Sequence, residues 1–411
     1  MTEFTIPDVN LDFDEIIAEA KTKAELVDFG DTEFFAPLKV LLKSLTTEAN
    51  LNMIGRFGQR SRIVDILINR LRVENYLQRF PQILQETIEN PIFIVGLPRT
   101  GTTMLHRILA SDSRYYAPIY YELRSPAPLP GYAFQGEDTR IAVSEAEVAA
   151  MVEANPDLAA IHPLDACGAD EEILLLEQSF YSTVPESFAN VPSFGRWLNE
   201  NDNTPGYAYL KKLLQFLQWQ KKQKGQSAQR WLLKSPHHLH YMGILLKVFP
   251  DAKIIQTHRD PLQTIPSLCS FNQALWVLGS ESVDAKSIGE QWGKKFAVGM
   301  RHTMLVREKT EEQFLDVSYK DTTTDPEAVI ESVYQFIDMP LTAEAKSAMH
   351  TWRVENRRED RAVHNYSLEQ FGFTAEQLEN DFKEYRDKYI KTSISRQVHL
   401  LDNNEKVGLN P

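Results

Sequence analysis

The stretch PIFIVGLPRTGTTMLHRILASD, residues 91 to 112, constrains this chain more than any other. A short apolar run ends at Gly96, a turn carries Pro98, Arg99, Thr100 and Gly101, and an amphipathic segment follows. A strand passing through a glycine turn into a helix aims backbone N–H groups and a helix dipole at one point, which is how an anion is held. In the nucleotide-triphosphate loop G-x-x-x-x-G-K-[ST], the lysine reaches the β- and γ-phosphates and the next hydroxyl binds magnesium. Here Gly96 and Gly101 keep that separation, but Thr102 stands at the lysine position, before Thr103, and the cation is Arg99 within the loop. The loop therefore suits an anion with less charge than a triphosphate and no metal clamp. A 5′-phosphosulfate meets that description.

Two further apolar runs, RWLLK at 230 to 234 and AKIIQTHRD at 252 to 260, each end in a polar turn before a helical segment. Strands of this kind, separated by helical periodicity, predict an α/β fold of the P-loop type, three layers about a central and mainly parallel sheet. Residues 10 to 90 show helical spacing, as in SRIVDILINRLRVENYLQRF, and are read as a helical N-terminal extension, residues 1–90, on a main domain of residues 91–411. Residues 123–225 read as a largely helical insertion on the acceptor side. Further on, Asp325 with Pro326, Ser367 with Gln370, and Thr374 with Gln377 carry helix-start signals.

Forty-four basic against fifty-seven acidic residues argue against nucleic acid or anionic lipid as a nonspecific partner, so an anionic ligand needs a local cluster of donors. The acidic N-terminus lacks the pattern of a signal peptide, and no run approaches the roughly 18 apolar residues of a membrane span. A cytoplasmic protein without integral membrane contact is expected. Cys167 and Cys269 lack zinc-ligand spacing, and the histidines of HHLH, 237 to 240, have no paired carboxylate motif, so no metal is expected.

The segment GLPRTGTT resembles the 5′-phosphosulfate loop of the sulfotransferase family, P-[KR]-[ST]-G-T-T, in the branch that keeps PRTGTT. The resemblance runs from about residue 90 to 375. It implies 3′-phosphoadenosine 5′-phosphosulfate (PAPS) as cosubstrate, held at its 5′ end by Arg99, Thr100, Gly101, Thr102 and Thr103. A second anion site for the ribose 3′-phosphate is implied after a later strand, where Arg259 precedes Ser267 by eight residues. Guanidinium pairs with phosphate through two parallel hydrogen bonds, and a hydroxyl on the next helix supplements it. The resemblance also places Tyr319 near the adenine and a basic loop over the 3′-phosphate, for which Arg357, Arg358, Arg361 and His364 are candidates and Arg361 is chosen.

The implied reaction is transfer of a sulfuryl group to a hydroxyl or amine of a small-molecule, lipid or glycan acceptor, an activity of EC 2.8.2 type. In-line attack needs charge stabilisation on the leaving side and a base for the acceptor proton. Arg99 serves the leaving side. Glu122, in YELR, resembles the Glu-x-Arg base segment of tyrosylprotein sulfotransferases, with Arg124 completing the match. In KSPHH, Lys234 matches the leaving-group lysine of the cytosolic branch, whereas the family's histidine position holds Pro236 and His237 follows it. Glu122 is favoured as base over His237, with Lys234 and His237 supporting the sulfuryl group. The acidic triplet Asp170, Glu171 and Glu172 is read as a helix N-terminal charge cluster. The competing classes are a P-loop kinase or nucleotide hydrolase, and a noncatalytic PAPS-fold binding protein.

Overall fold

The computed structural model describes residues 9–154, 164–356 and 366–391. Its centre is a five-stranded sheet in the order β2-β3-β1-β4-β5, with β1 at Ile92–Gly96, β2 at Tyr115–Tyr116, β3 at Arg230–Lys234, β4 at Lys253–His258 and β5 at Phe314–Ser318. Every pairing is parallel, with Ile94 opposite Lys234, Gly96 opposite Thr257 and His258 opposite Ser318. The three strands anticipated from apolar runs are the central ones. The two-residue β2 and the partly polar FLDVS of β5 lie at the edges, where the pattern is too short or too mixed to signal a strand.

All five residues of β1 are buried, because both faces of the sheet are covered. Phe93 and Val95 point into one apolar cluster with Leu233, Ile254, Leu214 and Phe296. Ile92 and Ile94 point into another with Leu232, Ile255, Ile108 and Val333. A strand's side chains alternate between faces, so two clusters fed by one strand define helix, sheet and helix layers. Each fully buried aliphatic or aromatic side chain stabilises the fold by about 1.5–3 kcal/mol.

Ahead of the sheet come α1 at Phe13–Ala24, α2 at Phe35–Thr47 and α3 at Met53–Arg79. Asp12 caps α1 by accepting from the backbone N–H groups of Asp14 and Glu15. These helices build a third cluster with Phe180, Val191, Phe194 and Leu198 from the insertion, while Val73 and Leu77 of α3 enter the sheet's own core. The insertion's aromatic residues are accordingly packing residues: Phe180 stacks 6.0 Å from Phe34, Phe134 lies edge-on 5.2 Å from Trp219, and the Arg62 guanidinium covers Phe188 at 4.8 Å.

The helix-start signals form as read. Asp325 accepts from Ala328 N–H at 3.1 Å, Thr374 from Gln377 N–H at 3.1 Å, and Ser367 from Gln370 N–H at 3.3 Å. Among the described residues no helix is long and apolar enough to cross a membrane.

Candidate functional site

In a parallel sheet all strands end on one edge, and ligands bind where successive connections leave in opposite directions. That point here is the end of β1, flanked by β3 on one side and β4 on the other. The residues at this edge are the loop 96–101 after β1, Lys234 at the end of β3, Arg259 just after β4 and Tyr319 just after β5.

The loop backbone is bent into unusual conformations. Arg99 has φ +70° and Gly101 φ +84°, left-handed values on either side of Thr100. A non-glycine residue held there carries strain, and alternating backbone handedness is what turns successive N–H groups toward an anion. Gly96 is required for a different reason: a Cβ there would lie 2.3 Å from the Thr257 hydroxyl and 2.7 Å from the Thr257 carbonyl oxygen. The loop is braced from behind by the Thr100 hydroxyl, which donates to Leu97 O at 2.6 Å and lies 2.6 Å from Thr257 Oγ1. Thr100 thus turns its side chain inward, against Leu97 and Thr257. Helix α4, Thr102–Leu109, starts at Gly101 and carries Thr102 and Thr103 in its first turn.

Three contacts join the expected residues. Arg259 Nη1 donates to Arg99 O at 2.9 Å, its Nε donates to Gln263, and its guanidinium lies 4.2 Å from the Tyr319 ring centroid. A Cβ on Gly101 would touch that same ring at 3.0 Å, so the tyrosine roofs the glycine turn. Lys234, with no exposed side-chain surface, extends Nζ to Thr103 Oγ1 at 3.1 Å. Arg99 is exposed, and Ser267 is buried on the helix Pro261–Gly279 that follows Arg259. Arg361, like Arg357, Arg358 and His364, lies outside the described residues.

The two candidate bases have contacts of their own. Both carboxylate oxygens of Glu122 accept from Lys221 Nζ, at 2.8 and 2.7 Å, and one also accepts from Ile119 N–H. Arg124 pairs with Glu147. His237 is buried, with Nδ1 3.2 Å from the Thr183 hydroxyl and its ring beside Tyr241; Nε2 finds no hydrogen-bond partner among the described residues. Burial, followed by the neighbouring His238, pushes its pKa well below the usual imidazole value, so the ring is neutral at neutral pH. None of these contacts belongs to the anion loop.

The acidic triplet does reach the loop's partners. Glu171 pairs with Lys234 Nζ, and Glu172 accepts from Lys234 N–H at 2.6 Å. Glu172 also meets His238 Nε2 at 2.6 Å, while His238 Nδ1 lies 2.8 Å from the Tyr207 hydroxyl. Asp170 faces Arg107 of α4. The cluster flanks a helix start as read, at Ile173–Glu177, but it also holds Lys234 from two sides. Burial pushes the Glu171 pKa up, against the opposing pull of Lys234. Local spacing could not find this pair, because 63 residues separate its members.

A family model described as the sulfotransferase family matches residues 91–344. The omega-hydroxy-beta-dihydromenaquinone-9 sulfotransferase Stf3 of Mycobacterium bovis is 29% identical over 269 residues, covering 63% of this chain. The matched part spans 66% of that relative's length. The crystal structure of sulfotransferase STF1 from Mycobacterium tuberculosis superposes with a TM-score of 0.79 at 30% identity, covering 90% of this chain and 98% of that one. STF9 from Mycobacterium avium superposes with a TM-score of 0.84 at 27% identity, covering 94% and 98%. A loop without the triphosphatase lysine, set at the switch point of a parallel sheet and matched over nearly the whole chain by these structures, makes the protein a member of the sulfotransferase family.

Proposed function

We propose that this protein transfers a sulfuryl group from PAPS to a hydroxyl of a small-molecule or lipid acceptor, with residues 91–411 as the transferase domain and residues 1–90 as its helical extension. The observation that carries the reading is the contact of Arg259 with both the Arg99 carbonyl and the Tyr319 ring, which makes one continuous surface of the loop and the second cationic position. A donor with an anion at each end of an adenosine fits that surface. The loop N–H groups, Arg99 and Thr102 take the 5′ end, Tyr319 the base, and Arg259 with Ser267 the 3′-phosphate. A lipid-like hydroxyl is the favoured acceptor because the Stf3 relative is named for a terminally hydroxylated menaquinone.

The loop's missing lysine is supplied from another strand. Thr103 occupies the position whose hydroxyl binds magnesium in a triphosphate loop, and here that hydroxyl meets the Lys234 ammonium at 3.1 Å. A cation from β3 takes the place of a metal clamp, which favours sulfuryl transfer over the kinase reading.

The acceptor oxygen attacks sulfur as the bond from sulfur to the bridging phosphate oxygen breaks, and the bisphosphate leaves. Negative charge grows on that bridging oxygen, where Arg99, Lys234 and the loop N–H groups act as fixed donors. The acceptor proton goes to a base. We assign that role to Glu171 in preference to Glu122, because Glu171 is 21% exposed at the loop's edge whereas Glu122 is 4% exposed with both oxygens on Lys221. A carboxylate with a raised pKa also holds a proton better as it forms the new O–H bond. His237 remains an acceptor-side candidate through its buried Nε2, which has no hydrogen-bond partner among the described residues.

Calorimetric titration tests the donor assignment. The expected result is tight binding of 3′,5′-adenosine diphosphate without magnesium, lost in Arg259→Ala; preference for magnesium ATP would sink it. Turnover of labelled PAPS across a panel of lipid and small-molecule alcohols then separates an enzyme from a binding module.

A further inference from the structure

The family motifs leave unexplained a set of contacts at the end of β4. The two residues that flank Arg259 there, His258 and Asp260, are each held by the C-terminal segment. The His258 ring stacks on Tyr389, with centroids 4.4 Å apart and planes within 7°, and its Nδ1 lies 3.2 Å from the Tyr385 hydroxyl. Asp260 receives a two-pronged contact from Arg386, Nε to Oδ1 at 3.1 Å and Nη2 to Oδ2 at 3.0 Å. Arg386 is itself held by Glu379 at 3.0 Å.

Asp260 is also the cap of the next helix, accepting from Leu262 N–H, and that helix carries Ser267. The carboxylate is therefore a shared anchor: one side fixes where the helix begins, the other ties it to the C-terminal segment. A bidentate guanidinium contact fixes orientation as well as distance. From below, buried Arg307 pairs with Asp316, and Asp316 meets His258 Nε2 at 2.8 Å, so His258 is clamped from both sides.

We propose that Tyr385, Arg386 and Tyr389 form a strap whose purpose is to set the second anion site. The strap touches no ligand. It holds the turn that presents the Arg259 guanidinium and the start of the helix that presents Ser267, and so controls affinity for a 3′-phosphate in particular. Arg386 and Tyr385 are positioning residues. The inference rests on the PAPS reading above, since it concerns the same anion site.

The test compares full-length variants by calorimetry with 3′,5′-adenosine diphosphate and with 5′-AMP, which lacks the 3′-phosphate. Wild type should prefer the bisphosphate. Arg386→Ala should weaken the bisphosphate by about tenfold while leaving 5′-AMP within about twofold, and Arg386→Lys should recover part of the loss. Asp260→Asn keeps a good helix cap but removes the charge, and should cost the same preference. The double variant should be no worse than either single, because both remove one contact. Bisphosphate affinity unchanged in Arg386→Ala would overturn the strap and leave the donor assignment standing. An equal loss for both ligands would also overturn it, as general loosening. A wild type indifferent to the 3′-phosphate would sink the donor assignment and the strap together.

Discussion

Two of the buried lysine–glutamate pairs among the described residues differ in what surrounds the carboxylate. Lys221 and Glu122 are closed on every side, 7% and 4% exposed, with both carboxylate oxygens on one ammonium. Lys234 has no exposed side-chain surface, yet its partner Glu171 is 21% exposed, and Nζ also reaches the loop threonine. Withdrawing two charges from water costs several kcal/mol per ion, and only good geometry offsets it. The closed pair spends its geometry on folding. The open pair leaves one end available for a reacting proton.

Making the same change in both pairs separates them most sharply. Glu171→Gln should lower transfer on the order of 10²–10⁴-fold, the range for loss of a general base, while 3′,5′-adenosine diphosphate still binds. Glu122→Gln should leave the rate per folded molecule within a few-fold and instead cost about 3 kcal/mol of stability in a urea titration, because it strands Lys221 buried without its counter-charge. Full activity in Glu171→Gln with a dead Glu122→Gln would reverse the assignment.

What the sequence could reveal about these pairs follows from distance along the chain. The loop 96–103 was legible because its chemistry is local: two glycines, an arginine and three threonines within eight residues. Lys234, Arg259 and Tyr319 were legible because each ends or follows a strand, and parallel register brings strand ends to one edge. Glu122 matched a motif in spacing, but nothing local announced Lys221, 99 residues later. Glu171 looked like a helix-start charge and does flank one; its pairing with Lys234 exists only once the end of β3 is packed against this segment. The insertion's aromatic residues carried no signal distinguishing a pocket from a core, since both call for the same side chains, and the N-terminal helices that cover Phe180 and Phe194 decide for core.

The open pair should also be visible in pH dependence. Glu171 faces Lys234 from β3, whose ammonium also reaches Thr103 of α4, and Asp170 and Glu172 from its own segment. Burial dominates and raises its pKa, so the acid limb of transfer should lie above the ordinary carboxylate range, with the rate falling as pH falls through that raised value. The stability sign is opposite. A carboxyl whose folded pKa is raised binds its proton more tightly when folded, so its contribution is present at low pH and declines as pH rises through the folded value. A rate profile whose acid limb sits at the unperturbed glutamate pKa would count against Glu171.

The smallest expected effect concerns the support behind the open pair. Tyr207, His238 and Glu172 form a buried chain ending on the Lys234 backbone N–H. Tyr207→Phe removes one hydrogen bond at the far end and leaves His238 Nδ1 buried without it, a change of about 1–3 kcal/mol in stability. Because Glu172 still fixes the Lys234 backbone, the transfer rate should fall by less than about tenfold, with no change in the pH of the acid limb. Neither Lys221 nor Glu122 lies in this chain, so any larger effect of Tyr207→Phe on rate than on stability would show that the open pair is tuned from behind, and that its difference from the closed pair extends beyond exposure.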